Sequence, residues 1–253
     1  MSAILYNIDC NEYMKTAIER ELHFDYCITS PPYNMNLRIR DGKYISRSPK
    51  QTNYNEFSKK YDNYGDDMTM QEYFDFLDLT ICNLLKLCKL TFFNIQLITG
   101  NKIALMQILG KYADNIKDII IWDKVNAQPS MHENILNSQF EFIIIFDSEK
   151  PYNRAFDYSN FDRGTETNIW RIQRQPNKYN KASFPEELVL RIIKDFTKEG
   201  ETIFDPFMGS GTTGIVCAKT NRIFTGCELD ADMFNIAKQR IESQERMCKS
   251  KLF

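Results

Sequence analysis

One glycine-rich stretch follows a short apolar strand and opens a helical pattern: Phe204-Asp205-Pro206-Phe207-Met208-Gly209-Ser210-Gly211-Thr212-Thr213-Gly214. Its three glycines fit GxGxxG, in which glycine permits positive φ and lets backbone amides approach a ligand closely. Glu228 closes the next apolar strand, 19 residues after Gly209, where a carboxylate can accept hydrogen bonds from both hydroxyls of a ribose. The stretch predicts a nucleoside-type cofactor; the alternative is a tight packing turn beside a surface glutamate.

The residues just before the glycines narrow the choice of cofactor. Asp205 and Pro206 stand there, and a carboxylate sits poorly beside the pyrophosphate of NAD. It suits a cationic ligand such as the sulfonium and amino group of S-adenosylmethionine. Only 39 residues follow Gly214, so most strands must come from upstream, and the turn lies late in the chain but near the centre of the sheet.

Strand-like and helix-like patterns alternate through the rest of the chain. The predicted strands cover residues 4–8, 24–29, 92–98, 116–122, 139–146, 202–204 and 223–227, and the predicted helices cover 11–20, 69–87, 102–112, 185–197, 212–219 and 231–245. This alternation favours an α/β fold with a largely parallel sheet. Two polar segments, 34–67 and 148–183, read as irregular insertions on one core, so we predict a single domain over residues 1–253.

Composition excludes several classes of protein. The 253 residues are 43% hydrophobic and 26% charged, as in an ordinary globular protein and unlike a disordered or collagen-like chain. We see no apolar run long enough to span a membrane and no signal peptide. Seven scattered cysteines without CxxC predict reduced thiols in a cytoplasmic compartment, and with only two histidines we assign no metal.

The net charge of −2 hides two basic segments. Residues 34–60 hold seven basic and two acidic side chains, and residues 153–181 hold six basic and three acidic ones. Such segments could face a polyanion, although short basic stretches are also ordinary solvated loops.

A second turn closes the predicted strand 24–29. It reads Ser30-Pro31-Pro32-Tyr33, and two successive prolines cannot continue a strand or a helix. The turn offers a hydroxyl, a carbonyl and an aromatic ring at the edge where the glycine-rich turn also opens. These groups could hold an exocyclic amino group and stack on a base; the alternative is a strand-ending turn with a core tyrosine.

Together the two motifs resemble the DNA amino-methyltransferases, which methylate the exocyclic nitrogen of cytosine or adenine. Ser30–Tyr33 looks like their catalytic motif and Asp205–Thr213 like their S-adenosylmethionine motif. The catalytic motif comes first, which is similar to the permuted β group of the family. The resemblance covers nearly the whole chain and implies a Rossmann-like methyltransferase fold, with seven mostly parallel strands, helices on both faces and a circularly permuted motif order.

The resemblance also implies which residues bind the cofactor. Glu228 matches the ribose-binding acid, Asp9 resembles an acid near the adenine, and Phe184 and Pro185 resemble the residues at the methionine end. Lys181-Ala182-Ser183 departs from the family pattern there. The implied cofactor set is Asp9, Phe184, Pro185, Asp205, Pro206, Phe207, Gly209, Ser210, Gly211, Thr212, Thr213 and Glu228.

The implied reaction is direct attack of the base nitrogen on the sulfonium methyl group. Ser30 and the Pro31 carbonyl would accept hydrogen bonds from the amino group of a flipped-out base, on which Tyr33 would stack. Serine at the first motif position favours cytosine N4 over adenine N6, which stays open as the alternative.

Double-stranded DNA is the implied partner. The 34–67 insertion would contact phosphates, and 126–180 would correspond to the target-recognition segment. The candidate contacts are Arg38, Arg40, Lys43, Arg47, Arg154, Arg163, Arg171 and Arg174. By analogy with the family, a homodimer and a cognate restriction endonuclease are further candidate partners.

Three other classes of function compete with this reading. An RNA or protein methyltransferase could use a similar proline turn, but the permuted motif order speaks against it. An NAD-dependent oxidoreductase leaves Ser30–Tyr33 unexplained. A catalytically silent DNA-binding protein could retain both motifs.

Overall fold

The computed structural model describes residues 3–35, 39–40, 43–44, 68–126, 133–174 and 184–250. Its strands are β1 (Ile4–Asn7), β2 (Phe24–Thr29), β3 (Ile39–Arg40), β4 (Lys43–Tyr44), β5 (Cys88–Ile95), β6 (Ile116–Asp123), β7 (Phe140–Asp147), β8 (Ile169–Arg171), β9 (Thr202–Asp205) and β10 (Ile223–Glu228). Its helices are α1 (Cys10–Glu19), α2 (Met70–Leu87), α3 (Lys102–Lys111), α4 (Glu186–Phe196), α5 (Thr212–Lys219) and α6 (Ala231–Ser250).

Eight strands form one sheet in the order β1-β10-β9-β2-β5-β7-β6-β8. The first five are mutually parallel, β7 runs antiparallel to both β5 and β6, and β8 is parallel to β6. This confirms the predicted α/β architecture, with a mostly parallel sheet. The short strands β3 and β4 pair separately as a small antiparallel ladder inside the 34–67 insertion.

The main sheet has eight strands, whereas the sequence predicted seven, so that number was wrong by one. The additional strand is β8, which lies in a segment that was predicted to be irregular. Three residues are too few to show the alternation that marks a strand. What forms β8 is a tertiary contact: Trp170 lies opposite Trp122 of β6 and is only 2% exposed. Burial of that indole against the sheet selects the extended conformation, and a local pattern could not reveal it.

Helices cover both faces of the sheet, as predicted. Strand residues alternate between two apolar clusters, so that Phe92 and Ile203 pack with α4–α6, whereas Phe93 and Phe204 pack with α1–α3. Burial on both faces is typical of parallel strands. Helix α2 begins with a capping box at Thr69 and Glu72, in which each side chain bonds the other residue's backbone amide.

The connections place a crevice between β2 and β9. The chain leaves β9 through α5 toward β10, whereas it leaves β2 through α2 toward β5, on the other side. Two neighbouring crossovers that diverge in this way open a cleft at the carboxyl ends of the strands. Both sequence motifs follow these two strand ends. In the described part of the chain, no helix is long and apolar enough to cross a membrane.

Candidate active site

The glycine-rich turn owes its shape to two glycines and its packing to a third. Gly209 and Gly211 have φ of 50° and 81°, in the left-handed region, and Gly211 caps the start of α5. Gly214 lies inside α5, where an added Cβ would stand 2.5 Å from Ile241 Cδ1 and 2.8 Å from ring atoms of Phe224. The first two glycines therefore form the turn, and the third lets α5 pack closely against β10 and α6.

Asp205 ties this turn to the neighbouring strand. Its Oδ1 accepts from Thr29 Oγ1 at 2.7 Å and from the Phe207 amide at 3.1 Å, and its Oδ2 accepts from Thr213 Oγ1 at 2.7 Å. Burial raises the pKa of this carboxyl to about 6, an effect that the three donors only partly offset. Both oxygens already have protein partners, so Asp205 acts first as a clamp between β2, the turn and α5.

Glu228 holds the turn from the other side. Its Oε2 accepts from the Gly209 amide at 2.9 Å, and its Oε1 accepts from the Asp230 amide at 2.9 Å. Burial raises the pKa of the Glu228 carboxyl. Each oxygen has a further lone pair for a ligand hydroxyl.

The other predicted cofactor residues lie around the same edge. Asp9 follows β1 and caps α1, because its Oδ1 accepts from the amides of Asn11 and Glu12 at 2.8 and 3.2 Å. β1 pairs with β10, which sets Asp9 just past the end of the strand beside Glu228. Phe184 and Pro185 are buried where α4 begins, and residues 181–183 lie outside the described part of the chain.

Ser30 and Tyr33 contact each other within the proline turn. Ser30 Oγ lies 3.0 Å from Tyr33 Oη. The backbone of the turn is fixed from outside: Tyr73 Oη donates to the Pro32 carbonyl at 2.7 Å, and Asn101 Nδ2 donates to the Tyr33 carbonyl at 3.0 Å. Since Thr29 immediately precedes the turn and bonds Asp205, the structure brings the two sequence motifs to one crevice.

Sequence reasoning missed a buried polar cluster beside this turn. Tyr33 Oη donates to Glu141 Oε2 at 2.8 Å, Asn94 Nδ2 donates to the same oxygen at 2.9 Å, and Lys124 Nζ lies 3.2 Å from Glu141 Oε1. Burial and the nearby Glu141 charge hold the pKa of Tyr33 well above its usual range. The available signal was a glutamate between two phenylalanines in a stretch, residues 140–146, that is otherwise apolar.

The candidate DNA contacts are spread over the molecule. Arg38 and Arg47 lie outside the described residues, and Arg40 and Lys43 are backbone partners in the β3–β4 ladder. Arg163 and Arg174 are exposed. Arg171 pairs with Asp123 at 3.5 Å, where β6 ends, but Arg154 pairs with Asp118 at 2.6 Å, near the start of β6 and the opposite edge of the sheet.

Within the described part of the chain, no three histidine, cysteine or acidic side chains are grouped to hold a metal ion. The sheet is mostly parallel, with a glycine-rich turn after a central strand and an acid on the next strand. A proline turn lies on the other side of the crevice. This arrangement is typical of α/β folds that bind a nucleoside cofactor.

The chain belongs to the DNA methylase family N6_N4_Mtase, whose family model matches residues 24–239. The family predicted from the two motifs is thereby confirmed. Among curated relatives, the chain is 27% identical over 136 residues to the Type II methyltransferase M.Cfr9I of Citrobacter freundii, a match covering 51% of this chain and 45% of that protein. The chain spans about half the length of the curated relatives it matches.

Solved structures share the fold. The M1.HpyAVI complex with SAM matches with a TM-score of 0.62 and 21% identity, over 94% of this chain and 99% of that one. The PvuII DNA methyltransferase, described as cytosine-N4-specific, matches with a TM-score of 0.69 and 16% identity, over 99% of this chain and 93% of that one. The likeness over nearly the full chain confirms the methyltransferase fold.

Proposed function

We propose that the chain is a site-specific DNA methyltransferase that transfers a methyl group from S-adenosylmethionine to the exocyclic N4 of cytosine in a flipped-out base. The observation that carries this proposal is the hydrogen bond from Thr29 to Asp205, 2.7 Å long and fully buried. It brings the proline turn and the glycine-rich turn into one crevice, in a chain of the DNA methylase family.

The residues at this edge fit S-adenosylmethionine. Carboxylates of Asp9, Asp205 and Glu228 gather at the ends of neighbouring strands, which suits a ligand with cationic groups and ribose hydroxyls and opposes a pyrophosphate. We assign the ribose to Glu228, the adenine end to Asp9, and the methionine end to the side of Phe184 and Pro185. The glycine-rich turn lies between Asp205 and Glu228, and when bound the cofactor would supply an electrophilic methyl group.

The proline turn positions the acceptor base. An exocyclic amine is a weak nucleophile, because its lone pair is delocalised into the ring. Ser30 Oγ and the Pro31 carbonyl accept hydrogen bonds from its N–H groups and orient the nitrogen lone pair toward the methyl carbon. The Tyr33 ring stacks on the base, a contact worth about 1–3 kcal/mol that offsets part of the cost of leaving the duplex.

Serine at the first position of the turn supports cytosine as the target base. The PvuII enzyme, described as cytosine-N4-specific, shares the fold. We assign phosphate contacts to the basic 34–67 insertion and base recognition to the 126–180 segment, within one domain over residues 1–253. The Type II designation of M.Cfr9I supports a role in restriction–modification with a cognate endonuclease. Family analogy supports a homodimer, and seven free cysteines support a cytoplasmic location.

Nucleoside mass spectrometry tests the proposal. Unmodified genomic DNA is incubated with S-adenosylmethionine and either the wild-type chain or Ser30→Ala, then digested to nucleosides. We expect N4-methylcytosine with the wild type and a rate lower by roughly tenfold or more with Ser30→Ala, because one hydrogen bond to the amino group is lost.

Other products would revise the proposal in defined ways. N6-methyladenine would keep the fold, the cofactor and the residue roles and change only the target base. Retained cofactor binding without any methylated DNA base would contradict the proposal, and it would direct the search to RNA, to protein, or to a silent DNA-binding role.

A further inference from the structure

The polar cluster beside the proline turn carries an inference about how the turn is oriented. Glu141 of β7 and Lys124, just after β6, form an ion pair whose side chains are only 11% and 5% exposed. Tyr33 Oη donates to Glu141 Oε2 at 2.8 Å, and Ser30 Oγ lies 3.0 Å from Tyr33 Oη. A continuous chain of contacts thus runs from a buried lysine to the serine of the turn.

Counting hydrogens fixes the direction of this chain. Paired with Lys124, Glu141 is a carboxylate and can only accept hydrogen bonds. Tyr33 has one hydroxyl hydrogen, and it is donated to Glu141. In the contact between Ser30 and Tyr33 the donor must therefore be Ser30. With its own hydrogen committed, the Ser30 oxygen offers only lone pairs toward the crevice.

We propose that Glu141 is a positioning residue which, through Tyr33, holds Ser30 as a hydrogen-bond acceptor and so selects bases that carry an exocyclic amino group. This inference rests on the proposed function. A base with a carbonyl at the same place, such as thymine or uracil, would present an acceptor to an acceptor. The ion pair between Glu141 and Lys124 adds little to the free energy of folding, since the desolvation of two buried charges largely cancels their attraction.

The same hairpin offers a matched control. Lys117 of β6 and Asp147 of β7 form a second buried ion pair at 2.8 Å, with side chains 8% and 10% exposed. It lies at the other end of the two strands, away from the proline turn. Both pairs can be neutralised in the same way, by Glu141→Gln with Lys124→Gln, and by Asp147→Asn with Lys117→Gln.

The experiment measures kcat, KM for S-adenosylmethionine and the melting temperature of wild type and both double variants on genomic DNA. We expect kcat to fall roughly 10- to 100-fold for the Glu141 and Lys124 variant, because a glutamine at 141 is uncharged and can donate as well as accept, so it no longer fixes the direction of the chain. KM for the cofactor should stay within about twofold of wild type. The Lys117 and Asp147 variant should retain kcat within about twofold, whatever its melting temperature.

A mutant cycle with Tyr33→Phe tests whether Glu141 acts through the tyrosine. In the Tyr33→Phe background, neutralising Glu141 and Lys124 should lower kcat by less than about twofold, because the link is already broken. Equal losses of kcat in both backgrounds, or equal losses for the two ion pairs, would overturn the inference while wild-type methylation upholds the proposed function. A wild-type chain that methylates no DNA would remove the proposed function and this inference together.

Discussion

The sheet has an amino edge and a carboxyl edge, where the amino ends and the carboxyl ends of its parallel strands lie. The two edges contain the same kinds of polar pair but in different surroundings. Strands β2 and β9 are joined at their amino ends by Asp25 and Thr202 and at their carboxyl ends by Thr29 and Asp205. Asp25 is partly exposed, whereas Asp205 is 1% exposed and accepts a third hydrogen bond from the glycine-rich turn. The amino-end pair joins two strands, and the carboxyl-end pair also fixes a turn.

The β6–β7 hairpin repeats this contrast. Its ion pair at the amino edge, Lys117 with Asp147, joins two strands, and the Asp147 carbonyl also accepts from Asn115. Its ion pair at the carboxyl edge, Lys124 with Glu141, continues into the proline turn. Buried polar side chains need hydrogen-bond partners at both edges of the sheet. Among the polar pairs of the described residues compared above, the two at the carboxyl edge also contact the turns to which we assign the chemistry.

The largest expected difference between the two edges is in the pH dependence of stability, because Asp205 is buried at the carboxyl edge. Its pKa of about 6 in the folded chain exceeds the ordinary value of 3.8. Between about pH 4 and pH 6 the folded state therefore binds more protons than the unfolded state, and stability falls as pH rises. The contribution is constant above and below this window. A shift of about two units corresponds to roughly 3 kcal/mol.

Urea unfolding of wild type and Asp205→Asn, at half-unit steps from pH 4 to pH 7.5, measures this effect. The difference between the two chains cancels the contribution of the other acids. We expect the free energy of unfolding of the wild type to drop relative to the variant as pH rises from 4 to 6.5. A constant difference would show that Asp205 has an ordinary pKa and that the two edges are electrostatically alike.

Threonine-to-valine substitutions compare the two strand ends directly. Thr29→Val removes a buried hydrogen bond to a carboxylate, and we expect a loss of about 2 kcal/mol in the free energy of unfolding at pH 7.5. Thr202→Val removes bonds to the partly exposed Asp25, where water can substitute, so the loss should be about 1 kcal/mol or less. Calorimetry or urea titration gives both values, and a larger loss at Thr202 would reverse the comparison.

The features at the carboxyl edge of the sheet were predicted from the sequence more completely than any other part of the molecule. Gly209, Gly211 and Glu228 follow a local pattern with fixed spacing, so strand, turn and acid could be predicted together. The proline turn was visible because two prolines must end a strand. Parallel strands open to one edge, and this rule alone predicted that both turns meet.

What sequence could not supply depends on partners distant in the chain. The clamp role of Asp205 requires Thr29, 176 residues away, and the link from Tyr33 to Glu141 spans 108 residues. Strand β8 forms because Trp170 packs beside Trp122. A glutamate inside an apolar strand was the one local sign of the cluster, since a buried charge needs a partner that the local sequence does not identify.

Two arginines paired with β6 provide the smallest and most selective prediction. Arg171 pairs with Asp123 at the carboxyl edge, and Arg154 pairs with Asp118 near the amino edge. If DNA lies over the carboxyl edge, as the proposed function requires, Arg171→Ala should reduce the slope of log K against log salt by about one unit, whereas Arg154→Ala should leave it unchanged.

Fluorescence anisotropy with a labelled duplex at 50–200 mM salt measures both slopes. Between 50 and 200 mM salt the wild type loses affinity for DNA as salt rises. A variant that lacks one phosphate contact should lose about threefold less affinity over the same range. Each substitution removes one ion pair between an arginine and an aspartate of β6. The two variants are therefore matched in the ion pair that they lose. A reduced slope for Arg154→Ala would place DNA along the amino edge as well. The two edges would then not differ in DNA binding.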